Sequence, residues 1–380
     1  MSKMKFTDCI DIVGSTPSEF IGSKIYVSTG ALECEHINYA QTENITYNDR
    51  PSRANLSVNI GDILFAKMQG TKKSIIIDTD TANHIYSTGF VAVHAKDDII
   101  SKECLYYLVT SECFLNRKDK NCTGATQKAI TNAGLDKIYI NIPEKIVQNR
   151  IVNKLDKITY LINICNTILE KLDLLIKAKF LEMFGDPVYN PMKWKLFQIG
   201  KRCEIVTGNT PSRADTDNYG NFIEWIKSDN INTPDTFLTQ AEEYLSEKGE
   251  KIGRCVDSGS VLMTCIAGSL SCIGNVGVAD RRVAFNQQIN AIVPKTDETM
   301  YIYWLMILSK SCIQSTINMA LKGILSKGKL SIMEFPFPPF ELQKQFSDFV
   351  EQTEKSKSTV KQVLEKAEML KKALMQEYFG

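Results

Sequence analysis

Patterns that would indicate metal or nucleotide chemistry are missing from this chain of 380 residues. Its eleven cysteines include no Cys-x-x-Cys pair, and only His36, His84 and His94 accompany them, so the closely spaced ligands of a zinc site are lacking. No Gly-x-Gly stretch occurs anywhere, which excludes the usual fingerprint of a nucleotide or methyl-donor site. We therefore expect ordinary buried thiols, and neither a metal ion nor a cofactor in this chain.

Familiar catalytic motifs are missing as well. The chain has no Asn-Pro-Pro-Tyr or Asp-Pro-Pro-Tyr stretch of the kind that amino-methyltransferases use, and no Asp-x-Lys or Glu-x-Lys of a common nuclease core. It also lacks a Gly-x-Ser-x-Gly elbow and a His-Glu-x-x-His pair. These absences favour a binding protein, although a stand-alone enzyme of an unfamiliar type stays open as an alternative.

Long apolar runs and an excess of charge of either sign are also lacking. The longest apolar run, Met300 to Leu308, is far shorter than the roughly 20 residues of a membrane-spanning helix, and the first thirty residues contain no apolar core of signal-peptide length. We therefore expect a cytoplasmic protein without a membrane contact. The net charge is only +1, so a surface that binds nucleic acid has to arise from local clusters of basic residues.

What the sequence does contain is an internal repeat. The stretch LEMFGDP at residues 181–187 resembles the final residues MQEYFG, and aligning Phe184 with Phe379 gives an offset of 195 (379 − 184). Near the start of each copy, CIDIVGSTPS from Cys9 aligns with CEIVTGNTPS from Cys203 at an offset of 194, allowing for one shifted position. The 195-residue offset pairs further identical residues without gaps: Leu135 with Leu330, Pro143 with Pro338, Gln148 with Gln343, Leu175 with Leu370, and Glu182 with Glu377. The chain is thus two copies of one plan, each a globular region followed by a terminal segment.

Each terminal segment is predicted to be a long helix. In copy one, no glycine or proline interrupts the chain between Pro143 and Gly185. Apolar residues recur there at alternating spacings of four and three, the heptad seam of a coiled coil: Ile151, Leu155, Ile158, Ile162, Cys165, Leu169, Leu172 and Ile176. In copy two the seam is interrupted at Thr353 and Lys357 and comprises Phe346, Val350, Val360, Leu364, Ala367 and either Leu370 or Leu374.

A helix of about forty residues is roughly 60 Å long and has to bury its apolar seam. We expect the two helices to pack antiparallel on each other, because a repeat within one chain brings equivalent elements together about a pseudo-twofold axis. The alternative is that each helix packs only on the globular region of its own copy.

The remaining residues are predicted to form two globular domains of mixed helix and strand. Turn-then-strand signals occur at GDILFAKM from Gly61 and at SGSVLMTCI from Ser258, and short apolar helices are indicated at 102–115 and 299–317. The predicted fold class is α/β (α+β), with two globular domains separated by two long antiparallel coiled-coil helices in a pseudo-twofold repeat. The predicted boundaries are 1–142 and 186–337 for the domains, and 143–185 and 338–380 for the helices.

Three stretches resemble the conserved regions of the specificity subunits of type I restriction-modification systems. They are GATQKAITNAGLDKIYINIPEKIVQNRIVNKLDKI from Gly124, KAKFLEMFGDP from Lys177, and LKGILSKGKLSIMEFPFPPFELQKQFSDFV from Leu321. In that family a Gly-x-x-x-x-x-(Leu/Ile)-(Ser/Thr) stretch leads through an apolar strand and an Ile-Pro or Pro-Pro to a long helix that carries a glutamine. The resemblance covers the whole chain, including the two-copy layout. The sequence departs from the family at 143–145, where Pro-x-Pro-Pro is usual, and at 327–328, and both departures could alter local partner contacts.

The resemblance implies a non-catalytic reader of double-stranded DNA. Each globular domain would be a target recognition domain that binds one half of a split, asymmetric site, and the helices would form a spacer that docks two methyltransferase subunits. Two modules on a rigid spacer read half-sites about one helical turn apart, roughly 34 Å. The family also implies methylation at N6 of adenine, S-adenosylmethionine bound in the methyltransferase partner, and a restriction/translocase subunit as a further partner.

Candidate DNA contacts are clusters of basic, amide and hydroxyl side chains, in which lysines neutralise phosphates and amides read bases. In copy one they are Lys67, Gln69, Thr71, Lys72, Lys73, Lys118, Lys120, Gln127 and Lys128. In copy two they are Ser212, Arg213, Lys227, Ser228, Asn230, Asn286, Gln287, Gln288, Lys322, Lys327 and Lys329. The alternative for any one of them is a solvated surface side chain without a role.

The expected helix or partner interface combines the heptad seam with the two recurring glutamines. It comprises Gln148, Ile151, Leu155, Ile158, Ile162, Leu169, Leu172, Gln343, Phe346, Val350, Leu364 and Leu370. Because Gln148 and Gln343 recur at the same point of the two helices, each copy could present an equivalent face to an identical partner. The competing function is a coiled-coil scaffold whose globular halves bind protein. A scaffold would show no salt-dependent affinity for DNA, whereas a reader should lose affinity steeply as salt rises.

Overall fold

The computed structural model describes residues 2–317 and 323–380. The chain divides into two compact units: unit 1 comprises Met1–Thr167 and Lys361–Gly380, and unit 2 comprises Ile168–Val360. Each unit contains one globular domain, the first or last part of one long helix, and the opposite part of the other.

Unit 1 begins with a strand and builds its domain before the first long helix starts. Its strands are β1 (Ser2–Lys5), β2 (Ile10–Val13), β3 (Lys24–Val27), β4 (Leu32–Glu33), β5 (His36–Ile37), β6 (Glu43–Ile45), β7 (Ala54–Leu56), β8 (Ile63–Ala66), β9 (Ser74–Ile76), β10 (Ile85–Ser87), β11 (Phe90–Ala95) and β12 (Tyr139–Ile142). Its helices are α1 (Lys102–Thr110), α2 (Glu112–Lys120), α3 (Asn132–Leu135) and the first part of α4 (Lys145–Phe184).

Unit 2 repeats this order. Its strands are β13 (Leu196–Gln198), β14 (Cys203–Thr207), β15 (Tyr219–Gly220), β16 (Ile223–Ile226), β17 (Tyr244–Leu245), β18 (Cys255–Val256), β19 (Val261–Thr264), β20 (Ile266–Ala267), β21 (Val276–Val278), β22 (Val283–Phe285), β23 (Ile289–Pro294), β24 (Gly323–Ile324) and β25 (Glu334–Pro336). Its helices are α5 (Ile199–Arg202), α6 (Glu247–Ile252), α7 (Thr299–Leu308), α8 (Lys310–Ser315), α9 (Lys327–Ile332) and the first part of α10 (Phe340–Phe379).

The sheet topology confirms the internal repeat. The four-stranded antiparallel sheet of unit 1 has the order β2-β11-β8-β9, and that of unit 2 has the equivalent order β14-β23-β19-β21. In each unit a second sheet contains one parallel pair, β3 with β10 and β16 with β22. The first strand of each copy also pairs antiparallel with the strand before the long helix, β1 with β12 and β13 with β25.

One of the two inner strands of each four-stranded antiparallel sheet, β8 in unit 1 and β19 in unit 2, is buried on both faces. In β8, Ile63 and Phe65 pack with α1 and α2, whereas Leu64 and Ala66 pack toward the second sheet. In β19, Val261 and Met263 likewise pack with α7. Each domain is therefore a layer of short helices, an antiparallel sheet and a second sheet, in that order.

The long helices pair antiparallel, as the sequence predicts. In unit 1 the beginning of α4 meets the end of α10, where Leu155 and Phe379 share one core. In unit 2 the end of α4 meets the beginning of α10, where the rings of Phe180 and Phe184 lie 5.4 and 5.5 Å from that of Phe346. The same residues also pack on the globular domain of their unit, which for Phe180, Phe184 and Phe379 is the domain of the other copy, so the alternative that each helix packs only on the domain of its own copy is wrong.

The seam of α10 differs from the prediction at two points. Leu370 is half exposed, at 50%, whereas Leu374 packs in the core of unit 1, so Leu374 is the seam residue and the assignment of Leu370 is wrong. Thr353 and Lys357 are buried and continue the heptad spacing instead of interrupting it. The ammonium group of Lys357 lies 2.6 Å from Asp173 of α4 and 2.9 Å from Glu354, which makes its burial possible.

None of the helices in residues 2–317 and 323–380 combines the length and the apolar character that crossing a membrane requires.

Candidate nucleic-acid interface

In unit 1, the fold brings together the two sequence segments that were predicted to contact DNA. Loop 67–73 joins β8 to β9 and pairs with residues 127–130. The backbone N–H of Gln69 donates to the carbonyl of Lys128 at 3.0 Å, and the N–H of Ile130 donates to the carbonyl of Lys67 at 2.9 Å. Residues about sixty positions apart in the chain therefore form one surface.

A basic concavity of about 460 Å³ opens beside this loop, lined among others by Arg53, Lys67, Thr71, Lys73 and Gln127. Three of its described lining residues are cationic, and none carries a carboxylate. Lys67 donates to the carbonyl of Thr88 at 2.9 Å, and Lys73 donates to that of Thr29 at 2.7 Å, so both ammonium groups are held at the rim. Burial lowers the pKa of Lys67 from its ordinary value.

The sequence analysis missed Arg53, because the segment between β6 and β7 contains only Arg50 as a further basic residue and so does not form a basic cluster. Other predicted residues of unit 1 lie where a ligand can reach them. Gln69, Lys72, Lys120, Gln127 and Lys128 are exposed, and Lys72 faces Glu112 at 3.8 Å.

Lys118 does not fit its predicted role. Its side chain is completely buried, and its ammonium group donates to three backbone carbonyls of the chain. It therefore has no surface with which to contact a phosphate, and the structure places it underneath the loop instead.

In unit 2, three of the predicted segments meet at the ends of β14, β16 and β22. The N–H of Asn209 donates to the carbonyl of Phe285 at 3.1 Å, and the N–H of Asn286 donates to that of Ile226 at 3.1 Å. A Cβ atom at Gly208 would lie 2.1 Å from the carbonyl oxygen of Asn286, so this close approach requires a glycine. The structure thus assembles residues 208–213, 225–230 and 285–288.

The charges at this junction are compensated, unlike those of the basic concavity. Glu243 accepts from Arg213 at 2.7 Å and lies 3.0 Å from the ammonium group of Lys227. The hydrogen bond from Arg213 holds the pKa of Glu243 below its ordinary value. The guanidinium group of Arg213 also lies 4.4 Å from the ring centre of Tyr219. Arg213 and Lys227 are therefore fixed by their own domain.

The remaining predicted polar residues of this junction are partly engaged within the domain. The amide of Asn230 donates to the carbonyl of Gln240 at 3.0 Å, and Asn286 is buried and accepts from the N–H of Gln288 at 3.0 Å. Gln287 is exposed and accepts a hydrogen bond from Thr210. Ser212 is exposed, and Ser228 is half-buried.

The predicted lysines near the end of unit 2 lie elsewhere. Lys327, on α9, lines a concavity with Lys201 and Lys295 at the end of β14 remote from Gly208. Lys329 is exposed and donates to the carbonyl of Thr316. Lys322 lies outside the described residues.

Sequence analysis also missed loop 265–275, which joins β19 to β21 and is the counterpart of loop 67–73. It contains β20, which pairs with β24 as Met68 pairs with Ala129 in unit 1. The sequence contains a signal for this correspondence between the two loops, because Gly61 aligns with Gly259 and Gly70 with Gly268 at one offset of 198 (259 − 61).

The two recurring glutamines are interior residues and do not form a surface for a partner. Both are buried. Gln148 accepts from the N–H of Ser101 at 2.9 Å, and Gln343 accepts from that of Glu298 at 3.1 Å, so each ties a long helix to its own domain.

The seam of α4 is buried or half-buried as predicted, at Ile151, Leu155, Ile158, Ile162, Leu169 and Leu172. The helix also carries a second apolar stripe that the sequence analysis missed. Leu161, Ile168 and Leu175 recur every seven residues and stay 41%, 38% and 48% exposed. The heptad spacing of these three residues is the sequence signal that identifies the second stripe.

The described cysteines are free thiols that differ in burial. Cys9, Cys104, Cys203 and Cys265 are buried free thiols, and burial raises the pKa of each to about 12. Cys34 and Cys312 are exposed, contrary to the expectation of buried thiols throughout. Among residues 2–317 and 323–380, no group of three or more histidine, cysteine, aspartate or glutamate side chains could hold a metal ion.

Comparison with known proteins agrees with this architecture. The family model described as type I restriction modification DNA specificity domain matches residues 18–174 and 191–369, once in each copy. The specificity subunit of the type I restriction enzyme HindI from Haemophilus influenzae is 20% identical over 385 residues, covering 81% of each chain.

Two solved structures have a similar fold. The type I restriction-modification S subunit from M. genitalium matches 100% of this chain and 96% of its own at 12% identity and a TM-score of 0.61. A chain from a study of complex assembly and conformational transition of the type I R-M system matches 99% of this chain and 97% of its own, at 19% identity and a TM-score of 0.60. Since the family model covers most of both copies, the resemblance found in the sequence is confirmed: the chain belongs to the type I restriction-modification DNA specificity family and contains two copies of its domain.

Proposed function

We propose that the chain reads a split, asymmetric site in double-stranded DNA as the specificity subunit of a type I restriction-modification complex, with one half-site for each domain. The observation that carries this proposal is the pair of equivalent loops, 67–73 and 265–275, on equivalent sheets. Their sequences differ in charge, because the first contains three lysines and the second none. Loops that differ in this way contact different bases and phosphates, so the two half-sites differ as well.

The chain supplies recognition and no bond-breaking step. Methylation at N6 of adenine requires the base to leave the duplex, and a methyltransferase partner that binds S-adenosylmethionine supplies that step. Restriction/translocase subunits join the same assembly, and the compartment is the cytoplasm. The scaffold alternative has less support, because the family model that matches both copies is one of DNA specificity.

The second stripe of α4 is the proposed contact for the methyltransferase subunits. Leu161, Ile168 and Leu175 form an exposed line on a helix whose first seam is already occupied by α10. An apolar line of this length on a long helix is typical of a surface that packs against a further helix.

A genome-wide map of modified adenines, with and without the gene, tests the function. Loss of methylation at one split motif with a fixed gap on deletion supports the proposal and identifies both half-sites. If no motif changes while the methyltransferase partner is expressed, the proposal is wrong. A salt titration of DNA binding by the purified complex then decides whether the scaffold alternative applies.

A further inference from the structure

Loop 67–73 is anchored from below by one buried side chain. Lys118 of α2 is completely buried, and its ammonium group donates to the carbonyls of Ala66, Met68 and Thr71 at 3.3, 3.0 and 3.2 Å. An ammonium group has three N–H donors and no acceptor, so three carbonyls satisfy it completely. One side chain thus binds the residue that precedes the loop and two residues within it.

Asp119, the residue next to Lys118, binds one backbone N–H group of the same loop. Asp119 accepts from the backbone N–H of Gly70 at 3.0 Å. Gly70 has a φ of +74°, a left-handed conformation that turns the loop and that a side chain would disfavour. Adjacent residues of α2 therefore bind both the carbonyls and an amide of one loop.

Unit 2 has the same arrangement with a different side chain. Gln314 of α8 donates from its amide nitrogen to the carbonyls of Leu270 and Ile273 at 2.8 and 2.9 Å, and Lys310 donates to that of Ser271 at 2.8 Å. Gln314 stands 196 residues after Lys118, whereas the loops align at an offset of 198, so the two side chains reach corresponding loops from neighbouring and not identical positions of the repeat. An amide nitrogen has two donors and here meets two carbonyls, so the donor number again matches.

The match of donors to carbonyls has a physical consequence for recognition. Removing the donor leaves these backbone carbonyls without their partner. The hydrogen bonds of Lys118 are buried or part-buried, whereas those of Gln314 are part-buried or exposed, so the cost of the unpaired carbonyls favours rearrangement most strongly in loop 67–73. A loop that reads bases has to hold its side chains within hydrogen-bond distance of base edges. If the loop is mobile, ordering it on binding costs free energy, so each base contact contributes less to the affinity.

We propose that Lys118 and Gln314 are positioning residues, each of which holds the recognition loop of its own domain in the conformation that reads one half-site. The proposal rests on the proposed function, since it assumes that these loops contact DNA. Neither residue touches the DNA, and each acts only through its loop. The two anchors are independent because each lies within one unit.

The test uses the chain assembled with its methyltransferase partner and DNA libraries in which one half-site is randomised. With Lys118→Met, preference for the cognate bases should fall about tenfold in one half-site, the equivalent of one good base contact, and stay unchanged in the other. With Gln314→Leu, the opposite half-site should relax. Each variant is thus the control for the other, and Ser315→Ala on α8 should change neither.

Two further measurements separate positioning from general stability. Lys118→Gln keeps two N–H donors, the number that Gln314 supplies in unit 2, and should retain more of the half-site preference than Lys118→Met. Amide hydrogen exchange in the DNA-free complex should accelerate in residues 67–73 with Lys118→Met and in residues 265–275 with Gln314→Leu. If Lys118→Met does not fold, Gln314→Leu and Lys118→Gln test the same claim.

Equal relaxation of both half-sites by either variant would overturn the proposal, as would a uniform loss of methylation with unchanged base preference or unchanged loop exchange. A wild-type complex that methylates no split motif would instead contradict the proposed function. The exchange measurement still tests the anchoring in that case, so the two failures are distinguishable.

Discussion

Gln343 accepts a hydrogen bond from the backbone N–H of Glu298 at 3.1 Å, at the residue that caps the N-terminus of α7. Its amide nitrogen also donates to the carbonyl of Pro338 at 3.0 Å. Gln148 makes the same pair of contacts in unit 1, with Ser101 at 2.9 Å and Pro143 at 2.9 Å. These two glutamines therefore fix the beginning of each long helix to the domain that it serves.

Replacing Gln343 by leucine should destabilise the protein by about 2 kcal/mol, because the part-buried N–H of Glu298, the carbonyl of Pro338 and the carboxylate of Asp297 lose their partner. Urea unfolding followed by circular dichroism measures this difference. Lys344→Ala, at an exposed neighbouring position, should change the free energy of unfolding by less than about 0.5 kcal/mol. Equal effects of the two variants would show that the glutamine is not a structural tie.

Lys357 should be coupled to Glu354 in the seam of the helix pair. Burial works to lower the pKa of Lys357, but hydrogen bonds to Asp173 and Glu354 outweigh it, so the pKa lies above its ordinary value. Glu354 also accepts from Thr236 of the globular domain at 2.8 Å. A double-mutant cycle of Lys357→Met and Glu354→Gln should give a coupling free energy of about 1–2 kcal/mol. Additive effects of the two substitutions would contradict the network.

The pair of Glu224 and Arg281 should make unit 2 sensitive to acid. The hydrogen bond from Arg281, at 2.6 Å, holds the pKa of Glu224 below its ordinary value of 4.5. Its stabilisation is therefore complete above the ordinary value and is lost as the pH falls through the lower folded pKa. Glu224→Gln should be less stable than the wild type at pH 7, with the difference shrinking below about pH 4. Glu242→Gln, at an exposed position, is the control, and a difference that does not depend on pH would refute the assignment.

Removing one cation of the basic concavity should weaken DNA binding without changing which sequence is preferred. Arg53→Gln should reduce the slope of log affinity against log salt concentration by about 1, because one phosphate contact is lost. Fluorescence anisotropy of the assembled complex at a series of salt concentrations provides the slope. Lys137→Gln, an exposed lysine ahead of β12, should leave it unchanged. A slope that is the same for both variants would exclude the concavity from the interface.

A charge in the second stripe of α4 should impair assembly and leave the fold intact. Leu175→Asp places a carboxylate in the proposed contact, so affinity for the methyltransferase subunit should fall at least about tenfold. Because Leu175 is half exposed, thermal unfolding of the isolated chain should change little. Isothermal titration calorimetry compares it with Asn166→Asp, which lies elsewhere on the same helix. Unchanged affinity for Leu175→Asp would place the docking surface elsewhere.

Periodicity and repetition in the sequence account for the architecture but only for part of the site. A heptad pattern is local, so it predicts both long helices and their buried face before any tertiary contact is known. It does not decide between Leu370 and Leu374, because both lie near the same edge of the stripe and the packing of the unit 1 core selects one of them. A buried lysine at Lys357 is equally hard to predict, since its partner Asp173 is 184 residues away.

The roles of single polar residues depend even more on distant backbone. In the sequence, Lys118 belongs to a basic cluster with Arg117 and Lys120. It is an interior residue because its ammonium group binds backbone carbonyls of a loop some fifty residues earlier, which the local sequence does not reveal. Gln148 and Gln343 were recognised because they repeat, but repetition does not distinguish a partner surface from a structural tie. Their burial does.

The placement of the loop anchors bears on how such a protein acquires a new target during evolution. The loop, its anchoring helix and the glutamine that ties the domain to its long helix all lie within one unit in each copy. Exchange of one domain by recombination would therefore bring a complete reader with its own supports, and would leave the other reader undisturbed. Selection can then change half of a recognised sequence in one genetic event, while point substitutions in the exposed loop residues refine it afterwards.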